Sequence, residues 1–160
     1  MKLKIKKSFR RKRINTKNKT RNQKGGNGLQ VLYNNQKVLG QELSKNITQI
    51  KPDIKFPTSG KLYTLVMWDP DVPQEIQPGF VHWLATNLRS QNDIQNNQIL
   101  SYKGPSPPSG IHRYFFGLFE QQSGYISVKE PNRLKFSIDK FIKDNNLRKV
   151  YEVFMRVRSV

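Results

Sequence analysis

Apolar residues in this chain recur mostly at every second position, and one segment alone carries the three-to-four-residue spacing of a helix. Residues 29–33 (LQVLY) and 37–39, separated by Asn34-Asn35-Gln36, pattern as a hairpin at a sheet edge. Ile54 and Phe56 alternate in a loop-rich stretch punctuated by Pro52 and Pro57. Residues 61–68 are almost continuously apolar, the pattern of a strand covered on both faces. That run leads into Asp69-Pro70-Asp71-Val72-Pro73, a turn stiffened by its prolines. Residues 79–88 predict the next strand, 91–98 (QNDIQNNQ) a polar surface loop, 112–120 a buried aromatic strand and 125–128 a short strand. Residues 137–145 are the one clear helix, with Ser137 as its cap and Ile138, Phe141 and Ile142 on one face. Residues 150–158 close the chain as a strand whose Tyr151, Val153, Met155 and Val157 alternate inward. No internal repeat is visible. The sum is a mainly β chain, an antiparallel β-sandwich with one or two short helices.

Charge changes this picture at one end. The 160-residue chain carries a net charge of +18, yet residues 1–28 hold twelve lysines and arginines and no acid. The remaining 17 bases face all 11 acids, so residues 29–160 carry only +6. Residues 1–28 are too charged and too poor in large apolar side chains to bury themselves, and are expected to be a disordered basic tail joined through Gly25-Gly26-Asn27-Gly28 to a domain spanning 29–160. A domain of that length supports a single core. The absence of cysteine excludes disulfides, iron–sulfur clusters and thiolate zinc sites. No apolar run approaches the roughly 20 residues needed to span a bilayer, and the start lacks the apolar region of a secretory signal. These features lead to the expectation of an intracellular protein.

The candidate chemistry gathers in residues 102–121, YKGPSPPSGIHRYFFGLFEQ. Pro105, Pro107 and Pro108 stiffen the loop, Gly104 and Gly110 permit its turns, and the chain then enters a strand at His112. A rigid loop loses little entropy when a ligand docks, so this is a sensible place for a binding group. The chain has two histidines, His82 and His112. If their strands are neighbours, both imidazoles converge with Asp69 or Asp71. Either histidine by itself reads equally well as a core or surface residue. Two histidines and an aspartate would suit a divalent metal. A hydrolase would need a nucleophile, and Ser106 and Ser109 stand near His112 but without a Gly-x-Ser-x-Gly elbow. Anion binding would use imidazole N–H groups and loop amides as donors to phosphoryl oxygens, with an aspartate fixing a histidine's tautomer and favouring its charged form.

This stretch, with its Tyr-x-Gly opening, Pro-Pro pair and Gly-x-His-Arg-Tyr entry to an aromatic strand, resembles a motif of the phosphatidylethanolamine-binding protein (PEBP) family. That family includes the Raf kinase inhibitor protein and plant flowering-time regulators. Its other motif is matched by residues 61–71 (KLYTLVMWDPD), continued by Val72-Pro73 and by 82–87 (HWLATN). The resemblance covers about residues 27–160. It implies an antiparallel sandwich with a small pocket at one end, lined by Asp69, Asp71, His82, Gly104, Pro107, Pro108, His112 and Tyr114, that takes phosphate-type anions rather than a metal or cofactor. Arg113 and Phe115 are expected to be structural, while Trp68 and Trp83 could serve either core or pocket wall. Where the family usually has Arg-Glu-Trp before the first histidine, this chain has Pro78-Gly79-Phe80-Val81, and Phe80 stands in for the tryptophan wall. Mammalian members carry a further carboxy-terminal helix over the pocket; the sequence reaches Val160 without one, so a pocket without that lid is expected.

The expected function is therefore a non-enzymatic, regulatory binding protein, monomeric, taking a phosphorylated small molecule, a phospholipid head group or a phosphopeptide. A protein kinase or protease partner is implied by the resemblance. The alternative is a nucleic-acid- or virion-associated protein acting through the tail, where Arg10, Arg11, Lys12 and Arg13 would meet nucleic acid or an anionic membrane. A hydrolase using Ser106 or Ser109 is a third reading. The expected location is cytoplasmic, with the nucleus or a virion as the alternatives.

Overall fold

The computed structural model describes residues 28–160. The basic segment, with Arg10, Arg11, Lys12 and Arg13, lies outside the described residues. Within them, β1 (Gln30–Tyr33), β2 (Gln36–Lys37) and β3 (Asp53–Lys55) form a small antiparallel sheet in the order β2-β1-β3. Asn34 and Asn35 join β1 to β2 with φ of 48° and 64°, the backbone that a two-residue hairpin turn requires and that asparagine tolerates. The helix α1 (Lys45–Thr48), a single turn capped by Ser44, is an element the periodicity did not reveal.

The large sheet contains β4 (Tyr63–Asp69), β5 (Phe80–Leu88), β6 (Gln98–Leu100), β7 (Ile111–Gln121) and β8 (Leu147–Arg158), in the order β6-β5-β4-β7-β8, all neighbours antiparallel. Every residue of β4 is buried, because both faces of this sheet are covered. On one face, Leu65, Met67, Trp83, Tyr114, Phe116 and Met155 pack against Val31, Tyr33 and Ile54 of the small sheet. On the other, Val66, Trp68, Leu84 and Phe119 pack against Phe136 and Phe141, the latter on α2 (Ile138–Asp144). The free edge of β8 is partly closed by residues 40–43: Gly40 N–H donates to Phe154 O and Leu43 N–H to Arg156 O.

Two local expectations are corrected. Residues 91–98 are not simply a loop: a 3-10 turn over Gln91–Asp93, closed by a Ser90–Asp93 capping box, leads into β6. Residues 125–128 form no strand. The Asn87 amide takes the backbone groups that a ladder would use, donating to Ile126 O at 2.9 Å and accepting from Ile126 N–H at 3.0 Å.

Candidate functional site

The order of the large sheet assembles the site. Because β4 runs antiparallel to both its neighbours, its end at Asp69 lies beside the beginnings of β5 and β7. Those beginnings carry His82 and His112. His82 sits at a bulge: Met67 pairs with Trp83 and Trp68 with Val81, so His82 is the extra residue between them. A bulge re-aims the side chain it carries. Here the His82 ring stands 5.1 Å, edge to face, from Tyr114 and 4.7 Å from Phe80. Tyr114 in turn lies near-parallel to His112 at 6.4 Å, so its ring is shared by both histidines.

Each histidine has its Nδ1 committed. His112 Nδ1 pairs with Asp69 Oδ2 at 2.7 Å, both side chains being buried. His82 Nδ1–H donates to Lys103 O at 2.7 Å, and Lys103 N–H returns a bond to His82 O at 2.9 Å. The expected imidazole donors to an anion are thus not the Nδ1 groups, which are used inside the protein. Only Nε2 of each ring is left. Burial lowers the His82 pKa to about 4, assisted by the nearby cations of Arg133 and Lys103. Burial also raises the Asp69 carboxyl, with the His112 bond opposing it, and raises the Tyr114 hydroxyl, which lies by Asp69 and the Ser106 backbone.

The Asp-Pro-Asp turn is fastened to β7 twice. Asp69 Oδ1 accepts from Asp71 N–H at 2.7 Å. Asp71 accepts from the Arg113 backbone N–H and grips its guanidinium with both oxygens, which holds the Asp71 carboxyl below its ordinary range. Asp71 and Arg113 therefore occupy each other.

The loop between β6 and β7 is held from below. The Tyr102 hydroxyl donates to Thr48 O at 2.6 Å and meets the Tyr33 hydroxyl, and Gln49 Nε2 donates to Pro105 O at 2.7 Å. Gly104 serves close approach rather than a turn, since a Cβ there would meet Gln49 at 2.8 Å. Gly110 does adopt positive φ, 66°. Pro107 is buried, whereas Pro108, Ser106 and Ser109 are exposed. Neither serine side chain is bonded to a histidine among the described residues. Trp83 is core, donating from Nε1 to Gln98, and Trp68 stacks on Phe115 on the opposite face.

Arg133 had no signal in the sequence beyond its charge. Its guanidinium donates to the carbonyls of Val81, His82 and Ser101 at 3.2, 2.8 and 2.8 Å, clamping the start of β5 to the chain that follows β6. Lys103 places its ammonium 5.4 Å from the Phe80 ring, so the wall anticipated at Phe80 carries a cation above it. Among the described residues no group of three or more histidine, aspartate or glutamate side chains is placed to hold a metal. A separate groove of about 310 Å³, lined by Lys51, Ile54, Trp83 and Gln95 among others, lies between β3 and the Gln91–Asp93 turn.

Residues 32–154 match the sequence model described as phosphatidylethanolamine-binding protein. The chain is 36% identical over 127 residues to Protein FLOWERING LOCUS T of Arabidopsis thaliana, across 74% of this chain and 72% of that protein. It is 34% identical over 128 residues to CEN-like protein 1 of Nicotiana tabacum, across 74% and 73%. Among solved structures, carboxypeptidase Y inhibitor complexed with its cognate proteinase is similar with a TM-score of 0.70 and 26% identity, over 82% of this chain and 83% of that one. Phosphatidylethanolamine-binding protein from Plasmodium vivax gives 0.66 and 25%, over 82% and 85%.

Proposed function

The chain belongs to the phosphatidylethanolamine-binding protein family, and from that premise we propose that it is a non-enzymatic regulatory binding protein whose His82–His112 site takes phosphate-type anions. The observation that carries this reading is that both histidines are held beside one tyrosine ring. Each has its Nδ1 fixed by an internal partner, and both rings meet the one Tyr114 ring. Imidazoles positioned in this way lose little entropy on meeting a ligand. Lys103 and Arg133 add positive charge near the site, and Asp71 is already occupied by Arg113. His112 is paired with Asp69 as a general base could be, but among the described residues neither Ser106 nor Ser109 is bonded to it, which supports binding over hydrolysis.

A relative of this fold is known in complex with a proteinase, which supports a protein partner, a protease or kinase, for this chain as well. The anion site would then be the place where a phosphorylated ligand biases that association.

Titration of the full-length protein with inorganic phosphate or phosphoethanolamine tests the reading. Charge-assisted hydrogen bonds contribute about 1.5–3 kcal/mol each, so His112→Ala should weaken binding by about tenfold or more. Unchanged affinity in the His82→Ala, His112→Ala double variant would remove the site from consideration. Release of product from an ester panel, lost on changing Ser106 or Ser109, would restore the hydrolase reading.

A further inference from the structure

The free edge of the small sheet opens into the groove beside it. β3 is paired on one side only, with β1. Val31 O accepts from Val38 N–H at 2.9 Å, so the Val31 backbone is turned toward the β2 side of β1. In an antiparallel ladder the N–H and C=O of one residue point the same way. Ile54, the partner of Val31, therefore exchanges no bonds with β1, and its own N–H and C=O point out of the sheet. Neither group has a partner among the described residues. They face the groove of about 310 Å³ that lies between β3 and the Gln91–Asp93 turn.

The walls of this groove suit a single extended strand. Trp83 and Ile94, which share the inner core with the Ile54 side chain, line its apolar part. Lys51 reaches across it, with its ammonium bonded to Gln95 Oε1 at 2.7 Å. On the outward side of β3, Asp53 and Lys55 flank Ile54 and are exposed. A short strand with charged flanks is a common means of limiting edge-to-edge pairing. Here the two flanking charges have opposite sign, and neither belongs to an ion pair among the described residues. Such a pattern discriminates between incoming strands instead of repelling all of them.

We propose that this edge is a docking site for a short extended peptide that adds to β3 as an antiparallel strand, with an apolar residue opposite Ile54, an acid before it and a base after it. The apolar residue exchanges both backbone bonds with Ile54. Pleating sends its side chain to the same side as that of Ile54, toward Trp83 and Ile94. Antiparallel register sets the preceding residue against Lys55 and the following one against Asp53. The order Glu-Leu-Lys therefore fits, whereas Lys-Leu-Glu opposes like charges at both positions. β3 itself reads Asp53-Ile54-Lys55, so a second copy of the chain meets the same register. A second copy would, however, bring its own β1 along on the side of the groove where the Gln91–Asp93 turn stands, which favours a single strand.

NMR titration of the full-length protein with two end-blocked peptides, Ser-Glu-Leu-Lys-Ser and Ser-Lys-Leu-Glu-Ser, tests this, since they share composition and net charge and differ only in order. The first should bind about fourfold more tightly or better, shift the Ile54 amide resonance and slow its hydrogen exchange. Methylation of its leucine nitrogen, which removes the donor to Ile54 O, should abolish those effects. Exchanging the exposed pair, Asp53→Lys with Lys55→Asp, should reverse the preference between the peptides. Binding by neither peptide, equal binding by both, or a preference unchanged in the exchanged variant overturns the proposal. Sedimentation of the free protein provides a check that needs no peptide. A dimer that forms through this edge and is lost in Lys55→Asp would assign the edge to a second copy and overturn the peptide reading.

Discussion

Asp69 Oδ2 accepts from His112 Nδ1 at 2.7 Å, across 43 residues of sequence and between side chains that are both nearly sealed from water. The same carboxylate accepts Asp71 N–H with its other oxygen. Two residues on, in the turn beyond β4, Asp71 repeats the move on Arg113, the residue after His112. Two consecutive aspartate links thus fasten the end of β4 to the start of β7. The orientation of the His112 ring is a by-product of that fastening.

Asp69→Ala should therefore destabilise the fold as well as the site. It would leave His112 Nδ1 and Asp71 N–H without an acceptor in a buried place, which costs about 3 kcal/mol or more in a urea unfolding experiment. Asp69→Asn keeps the shape and one acceptor and should cost less than half as much. A loss below about 1 kcal/mol for the alanine variant would mean that the link contributes little.

His82 gives the protein a characteristic response to acid. Its folded pKa of about 4 lies below the ordinary 6.5, so between those values the unfolded chain binds a proton that the folded chain does not. Stability from this group is complete above pH 6.5 and is lost as pH falls toward 4, a total on the order of 3 kcal/mol. His82→Asn keeps a donor for Lys103 O but does not titrate. The slope of unfolding free energy against pH in that window should be shallower in the variant, and an identical slope would contradict the assignment.

Arg133 is expected to act through His82 rather than on a ligand. Arg133→Met removes the donors to three carbonyls and should cost about 2 kcal/mol of stability. It also removes a cation that disfavours the charged imidazole, so the His82 pKa should rise from about 4. Burial is the larger cause and remains, so the value should stay below 6.5. An NMR titration that finds His82 unmoved would show that the guanidinium is not felt at the ring.

Much of this architecture was legible in the residues. The unbroken apolar run of β4 announced a strand covered on both faces, and Ser137 with Ile138, Phe141 and Ile142 announced α2. The proline-rich loop announced a rigid approach to His112. What periodicity cannot carry is the consequence of pairing. The bulge at His82 exists only because Met67 and Trp68 pair with Trp83 and Val81. The Arg133 clamp is likewise built from carbonyls 32 to 52 residues away, which leave no local pattern. The same limit explains residues 125–128, whose apolar alternation suggested a strand. Ile126 and Val128 do pack on the outer core, but the backbone partner is the side chain of Asn87 instead of a neighbouring strand.

That substitution of side chain for strand can be measured at Asn87, which sits at φ 58° while its amide serves Ile126 on both sides and accepts from Gln121 Nε2 at 2.9 Å. Asn87→Ala removes those three bonds, at about 1 kcal/mol per bond, and keeps a Cβ in left-handed backbone without the tolerance that asparagine has for it, where the conformation costs an ordinary residue about 1–2 kcal/mol. Asn87→Gly loses the same bonds but adopts the backbone freely. The glycine variant should therefore be the more stable of the two by about 1 kcal/mol. Both should expose the Ile126 amide to faster hydrogen exchange than in the parent chain, because its acceptor is gone. If alanine proves as stable as glycine, the positive φ does not constrain this position. If Ile126 keeps its protection, another acceptor has taken over and the Asn87 amide is dispensable to the loop.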